Sequence, residues 1–140
     1  MSRQFLDTNI LLYAYDSQAG DRHDLASQLV VRLARARQAA ISVQVMQEFY
    51  VKAVTKIAHP LTAEQAITRL QAFSRWSVYS PLAGDVVQSV QLAKGHQLSF
   101  WDAMIVLSAL RLDCDILWTE DLNHGQVIES TKILNPFVSQ

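Results

Sequence analysis

Short apolar segments alternate with longer segments of helical periodicity along the chain. Segments of strand length occupy positions 4–6, 40–41, 76–79, 116–119 and 132–134. Between them, apolar residues recur every three or four positions, which is typical of helices that bury one face. Strands that alternate with helices in this way predict the α/β class, in which about five parallel strands form a sheet with helices on both faces.

Capping signals predict where the helices begin and end. We expect four helices to start at the polar residues Asp21, Ser42, Thr62 and Ser99. Leu25 is predicted to lie on the apolar face of the helix that Asp21 caps. A further helix is predicted at 85–94, and Gly95 is expected to end it because glycine readily adopts the left-handed conformation found at helix ends.

Length and composition narrow the class of protein. Half of the 140 residues are hydrophobic and 18% are charged, and there is no internal repeat, so 1–140 are predicted to form a single domain around one core. The longest uncharged stretch, 38–47, is too short for a membrane span, which needs about 20 residues. Asp7 occurs before any apolar region of signal-peptide length, so secretion by a signal peptide is not expected. With a single cysteine, Cys114, the chain is expected to be cytoplasmic.

The charge balance limits how the chain could bind nucleic acid. Twelve basic and thirteen acidic residues give a net charge of −1, so no global positive field attracts a polyanion. Nucleic-acid binding would therefore need a local patch, and the best candidate is Arg32, Arg35 and Arg37 near the end of the second helix. Basic residues in a last helical turn are also ordinary partners of the helix dipole, so both interpretations stay open.

Four acids stand in unusual surroundings. Asp7 and Asp121 each follow a predicted strand, whereas Glu48 and Asp102 lie within apolar helical segments. Burying a carboxylate costs several kcal/mol unless it is paired, and a divalent metal shared by all four would compensate this cost. Structural roles are also open: Asp7 or Asp102 could cap a helix. The remaining acids, including Asp85, are expected to be solvated.

The side-chain types of the four acids indicate which metal they could bind and which reaction they could catalyse. A site made of carboxylates, without clustered histidine or cysteine, favours Mg²⁺ or Mn²⁺ over Zn²⁺. Carboxylate-held Mg²⁺ typically serves phosphate chemistry, because it orients a water and neutralises charge on the leaving oxygen. These residues therefore predict hydrolysis of phosphodiester bonds.

Four sequence blocks resemble the PIN-domain ribonucleases, especially the VapC-type toxins. The blocks are Phe-Leu-Asp-Thr-Asn-Ile-Leu at 5–11, Ser-Val-Gln-Val-Met-Gln-Glu-Phe at 42–49, Ser-Phe-Trp-Asp-Ala at 99–103 and Thr-Glu-Asp-Leu at 119–122. Their order and approximate spacing match the family over nearly the whole chain. The resemblance implies a PIN-like domain with a central parallel sheet between helical layers and an endoribonuclease activity that depends on Mg²⁺ or Mn²⁺. It also implies a homodimer and a cognate antitoxin partner.

The resemblance assigns roles residue by residue. By position, Asp7, Glu48, Asp102 and Asp121 match the family's acidic quartet, which holds the metal and carries catalysis. The accessory polar residues of the family are matched by Thr8, Asn9 and Thr119. The implied function is cleavage of RNA by the toxin of a toxin–antitoxin pair, which inhibits translation or growth.

Other functions are open from the sequence. The family also includes housekeeping RNA-processing nucleases, and the same fold could serve as a non-catalytic RNA- or protein-binding module. A phosphatase with Asp7 as its nucleophile is disfavoured, because the haloacid-dehalogenase pattern requires a second aspartate where this chain has Asn9.

Overall fold

A computed structural model describes residues 2–138 and shows a six-stranded, mostly parallel sheet. The strands are β1 (Arg3–Leu6), β2 (Ala39–Ser42), β3 (Ser77–Tyr79), β4 (Cys114–Trp118), β5 (Val127–Ile128) and β6 (Thr131–Leu134). Their order in the sheet is β3-β2-β1-β4-β6-β5, and only the pair of β5 and β6 is antiparallel. The α/β class and the five parallel strands are confirmed. The sequence did not reveal β5, because two residues are too few to show a periodic pattern.

Helices connect the strands and cover the sheet. They are α1 (Thr8–Tyr15), α2 (Asp21–Arg35), α3 (Val43–Thr55), α4 (Ala63–Phe73), α5 (Ala83–His96) and α6 (Phe100–Arg111), with a 3₁₀ turn at Ser17–Ala19. All four residues of β2 are buried, and since successive side chains point to opposite faces, both faces of the sheet are covered. Within residues 2–138, no helix has the length and apolar character needed to cross a membrane.

Three of the predicted helix caps are confirmed. The hydroxyl groups of Ser42, Thr62 and Ser99 each accept a hydrogen bond from the backbone N–H three residues further on. At α4 the reciprocal bond is also present, since the side chain of Gln65 accepts from the N–H of Thr62 at 2.9 Å. These bonds satisfy backbone donors that the first turn of a helix leaves free.

Predictions at three other helix positions were wrong. Asp21 is the first residue inside α2, not its cap; Gly20 precedes the helix with a φ of 64°, and the acid interacts favourably with the helix dipole instead. Leu25 is 43% exposed, because the buried stripe of α2 passes through Ala26 and the residues one and two turns later. Gly95 lies inside α5, which ends where Gln97 takes the left-handed conformation at a φ of 56°.

Asp85 is buried, although the sequence pattern predicted a solvated residue. Its carboxylate accepts hydrogen bonds from the hydroxyl of Tyr79, the N–H of Leu82 at 2.9 Å and Nε of Arg111 at 3.1 Å. The hydrogen bond from Tyr79 is the main reason why the pKa of Asp85 lies below its ordinary value. The partners lie on three different elements or loops, so Asp85 holds the start of α5 to β3 and α6 and has a structural role.

Candidate active site

The carboxyl ends of β1 and β4 bring two sequence-predicted residues together. These strands are parallel neighbours with Leu6 opposite Trp118, so the next residues, Asp7 and Thr119, lie side by side at the edge of the sheet. Oγ1 of Thr119 donates to Oδ2 of Asp7 at 2.8 Å and accepts from the N–H of Asp121 at 3.1 Å. Thr119 therefore connects the two strand-end acids.

Asp7 combines a capping role with a place in this site. Its Oδ1 accepts from the N–H of Thr8 at 2.7 Å, so the carboxylate caps α1 as one interpretation of the sequence predicted. The residue is only 8% exposed and also lines a pocket at the edge of the sheet. The capping bond fixes the carboxylate and does not remove it from the site.

Glu48 and Asp102 reach the same pocket from helices. Glu48 lies on α3, and its Oε1 accepts from Oγ1 of Thr8 at 2.7 Å. Asp102 lies in the first turn of α6, where its N–H donates to Oγ of Ser99 at 3.1 Å. That bond uses the backbone of Asp102 and leaves its carboxylate available to the pocket.

All four predicted acids line one pocket. The pocket has a volume of about 150 Å³ and is lined by Asp7, Thr8, Asn9, Gln44, Glu48, Lys52, Trp101, Asp102, Ile105 and Asp121. Asp121 is solvent-exposed, whereas Asp7 is buried. The four carboxylates come from the ends of β1 and β4 and from α3 and α6, so four separate parts of the chain build the site.

Four lining residues were not predicted: Gln44, Lys52, Trp101 and Ile105. Gln44, Glu48 and Lys52 are spaced four residues apart on α3 and so share one face of the helix. That spacing could have indicated Gln44 and Lys52 once Glu48 was assigned. Trp101 precedes Asp102 in the sequence, but adjacent residues on a helix do not point in the same direction, and only the packing of α6 shows that both line the pocket.

The electrostatics of the pocket disfavour several simultaneous negative charges. Burial raises the pKa of Asp7 to about 6, and the negative charges of Asp121 and Glu48 add to this rise, although the hydrogen bonds from Thr119 and the Thr8 N–H oppose it. The pKa of Asp121 is also raised, first by partial burial and then by Glu120 and Asp102, while Lys52 opposes the rise. The site would be stabilised by a bound cation or by protons.

Glu120, which precedes Asp121 in the sequence, forms hydrogen bonds with residues outside the pocket. Its Oε1 accepts from the hydroxyl of Tyr13 at 2.5 Å, and its Oε2 accepts from Nε of Arg22 at 3.2 Å. The guanidinium of Arg22 in turn lies 5.0 Å from the ring centre of Phe137. Glu120 therefore holds α1, the start of α2 and the C-terminal segment together, and Asp121 is the acid that faces the pocket.

The pocket contains the type of donor atom, oxygen, that binds hard divalent cations. The donors are carboxylate oxygens together with Oε1 of Gln44, which is buried and has no hydrogen-bond partner among residues 2–138. Nε2 of Gln44 faces the carbonyl of Trp101 at 3.4 Å. Oxygen donors of this type suit Mg²⁺ or Mn²⁺. In residues 2–138, no three His, Cys, Asp or Glu side chains are already arranged as a metal-ligand cluster. The carboxylates would therefore have to converge on the ion.

The three arginines predicted as an RNA-binding patch lie apart from the pocket. Arg32, Arg35 and Arg37 are exposed, and none of them lines the pocket. Arg35 ends α2, and Arg37 precedes β2, so this segment meets the sheet where the parallel strands begin. The acids lie at the opposite edge, where the strands end. An RNA-binding role for these arginines stays a prediction.

The fold and the pocket together define an α/β domain with a carboxylate site at the carboxyl edge of its parallel sheet. The family model for the PIN domain matches residues 5–129. The chain therefore belongs to the PIN-domain family, and the resemblance seen in the sequence is confirmed. Among curated proteins, a search by similarity finds no significant match.

Solved structures of toxin–antitoxin systems share this fold. A chain of a toxin–antitoxin complex from Klebsiella pneumoniae is 25% identical, with 97% of this chain and 98% of that chain covered and a TM-score of 0.68. A chain of the DNA-bound VapBC complex from Salmonella typhimurium is 20% identical, with 97% and 99% covered and a TM-score of 0.65. The Mycobacterium tuberculosis toxin VapC20, described as cleaving the sarcin-ricin loop, is 18% identical, with 84% and 91% covered and a TM-score of 0.62.

Proposed function

We propose that this chain is an Mg²⁺- or Mn²⁺-dependent endoribonuclease and the toxin of a toxin–antitoxin pair, which acts in the cytoplasm to inhibit translation or growth. The observation that carries the proposal is the convergence of Asp7, Glu48, Asp102 and Asp121 on one pocket. The similarity to the chain from the Klebsiella pneumoniae toxin–antitoxin complex, over nearly the full length of both chains, supports the toxin role. A housekeeping RNA-processing role would use the same chemistry, and no feature of the pocket favours it.

The four acids are the residues that would hold the metal. When bound, Mg²⁺ or Mn²⁺ would orient and acidify the attacking water and neutralise charge on the phosphate. A non-catalytic binding module would have no need of four carboxylates in one pocket, since their mutual repulsion destabilises the fold and repels nucleic acid.

The polar residues around the acids position them. Thr119 and the N–H of Thr8 each bind one oxygen of Asp7, so the carboxylate cannot rotate without losing a bond. The hydroxyl of Thr8 binds Oε1 of Glu48 and so orients a second carboxylate. Asn9 also lines the pocket and is assigned as a further polar residue of the site. Such prior orientation lowers the cost of assembling a reactive geometry.

The direct test is RNA cleavage by the purified chain, free of any antitoxin. We expect single-stranded or loop RNA to be cut in Mg²⁺ or Mn²⁺ and cleavage to stop in excess chelator, because without a cation the carboxylates repel the phosphate and nothing neutralises the charge on the leaving oxygen. The Asp115→Asn variant is a control in which an exposed acid on β4, outside the pocket, is changed, and it should cleave RNA in the same metal-dependent way as wild type. Undiminished cleavage in chelator would exclude the metal mechanism.

We also propose a homodimer, which the exposed face of α5 supports. Leu82, Val86 and Val90 are spaced four residues apart and are 72%, 46% and 48% exposed, with Val87 beside them. A row of apolar residues in solvent is typical of an association surface.

Light scattering is expected to give twice the 15.8 kDa of one chain, and replacing Val86 and Val90 by Asp should return the mass to that of one chain. A monomeric wild type would refute this assignment.

The cognate antitoxin is proposed as the second protein partner. The Klebsiella pneumoniae and Salmonella typhimurium chains come from complexes of a toxin with its antitoxin. We infer the same kind of partner for this chain, and the pocket is the surface that such a partner would need to block to prevent cleavage.

A further inference from the structure

An exposed tryptophan lies at the mouth of the acidic pocket. Trp101 lines the pocket and is 63% exposed, which is unusual for so large an apolar side chain. Its ring packs edge-on against Phe100, with the ring centres 5.0 Å apart. The carbonyl of Trp101 also lies 3.4 Å from Nε2 of Gln44, which connects the first turn of α6 to α3. The carbonyl of Trp101 thus faces α3, while most of the indole stays in solvent.

A single cationic side chain also lines the pocket. Lys52 lies one helical turn after Glu48 on the same face of α3 and is half-buried. Within residues 2–138, the two ion pairs join other residues, Arg22 with Glu120 and Arg111 with Asp85. The ammonium of Lys52 is therefore not engaged in a salt bridge, although four carboxylates line the same pocket.

We propose that Trp101 and Lys52 form a nucleotide subsite beside the cleavage point: Trp101 stacks on one base of single-stranded RNA and Lys52 contacts an adjacent phosphate. This inference rests on the proposed ribonuclease function. An exposed aromatic ring and a cation that line one pocket are the combination that binds single strands, because every base has a face to stack and every nucleotide has a charged phosphate. An acidic pocket needs such contacts, since it otherwise repels the polyanion that it must cut.

The subsite selects for unpaired RNA. Stacking on Trp101 requires that the base leave its helical neighbours, which costs less in a loop or single strand than in a duplex. We therefore expect cleavage in loops or single-stranded segments, with the base that stacks on Trp101 next to the cut.

Binding measured without cleavage tests both residues. The Asp7→Asn protein, kept in Mg²⁺, is titrated with a short fluorescent single-stranded RNA of mixed sequence. Adding Trp101→Ala is expected to weaken binding about tenfold, or about 1.4 kcal/mol, with little change in salt dependence. Adding Lys52→Gln is expected to weaken binding and to lower the slope of log Kd against log salt by about 0.7, the value for one phosphate contact on a single strand.

Three control variants isolate the contacts. Trp101→Phe should restore most of the affinity, because it keeps an aromatic face, and Lys52→Arg should restore the salt slope. Tyr50→Ala removes an exposed aromatic residue that lies on α3 and does not line the pocket, and it should leave binding unchanged.

The outcomes separate this inference from the proposed function. One outcome is that wild type cleaves RNA while Trp101→Ala and Lys52→Gln bind RNA as tightly as the Asp7→Asn parent, with the same salt slope. That result would refute the subsite and leave the proposed nuclease function supported. If wild type never cleaves RNA but RNA binding still depends on both residues, the RNA-binding subsite is supported and the proposed ribonuclease function is refuted. If Trp101→Ala instead converts a dimer to a monomer without affecting RNA affinity, the indole is a subunit contact and the subsite is refuted.

Discussion

Asp7→Asn and Asp102→Asn should each lower the rate of RNA cleavage at least about a hundredfold in Mg²⁺ or Mn²⁺. Each substitution removes one negative charge from the pocket at almost constant volume, so the metal loses a ligand charge while the fold keeps its packing. The measurement is the initial cleavage rate at saturating metal, with circular dichroism to verify the fold.

Asp115→Asn serves as the matched control for these variants. It makes the same chemical change on the exposed side of β4, outside the pocket, and should cleave at the wild-type rate. Wild-type rates for both Asp7→Asn and Asp102→Asn would mean that the acids are structural and that the site lies elsewhere.

The placement of the acids was only partly predictable from the sequence. Local patterns located Asp7 and Asp121 after strands, and parallel strands end at a common edge, so both were expected at that edge. Local patterns do not specify that β4 lies next to β1 while β2 lies on its other side. That strand order places Thr119 against Asp7, and it follows from long-range pairing that no short segment encodes.

The choice between Glu120 and Asp121 shows the same limit. Both residues follow β4, and the local pattern does not show which one faces the pocket; only the resemblance to the family favoured Asp121. Tyr13 and Arg22 bind Glu120 from α1 and α2, about a hundred residues away in the chain. The distinction therefore depends on tertiary contacts, whereas the caps at Ser42, Thr62 and Ser99 are local and were predicted correctly.

The burial of Asp85 also depends on a distant partner, and the sequence therefore predicted wrongly that Asp85 is solvated. An acid in the first turn of a helix is ordinarily solvated, and the sequence near Asp85 contains no basic partner. Its partner Arg111 is at the far end of α6 and reaches Asp85 because α5 and α6 pack together. Periodicity predicts which face of a helix is buried, but not which distant side chain will pair with a polar residue on that face.

Asp7→Asn should also stabilise the protein when metal is removed. The carboxyl of Asp7 has a pKa of about 6 in the fold against an ordinary value of 3.8, so folding disfavours its ionised form. The resulting destabilisation is small below about pH 4, develops mainly between about pH 4 and 6, where only the unfolded chain is largely ionised, and reaches about 3 kcal/mol at pH 7. Asparagine carries no charge and caps a helix as well as aspartate does, so it removes this cost. Its Nδ2 cannot accept the hydrogen bond that Oγ1 of Thr119 donates to Asp7, so part of the gain is offset.

Thermal melts in chelator and in Mn²⁺, at pH 4 and at pH 7, measure this effect. In chelator at pH 7, Asp7→Asn should melt about 5 °C or more above wild type, and the difference should shrink toward pH 4. Mn²⁺ at about 100 times its Kd should add about 2.7 kcal/mol to wild type and clearly less to the variant, because the variant lacks a ligand charge. Asp115→Asn should follow wild type under all four conditions. If Asp7→Asn melts no higher than wild type in chelator at pH 7 and gains as much from Mn²⁺, Asp7 is only a helix cap, and the metal site does not include it.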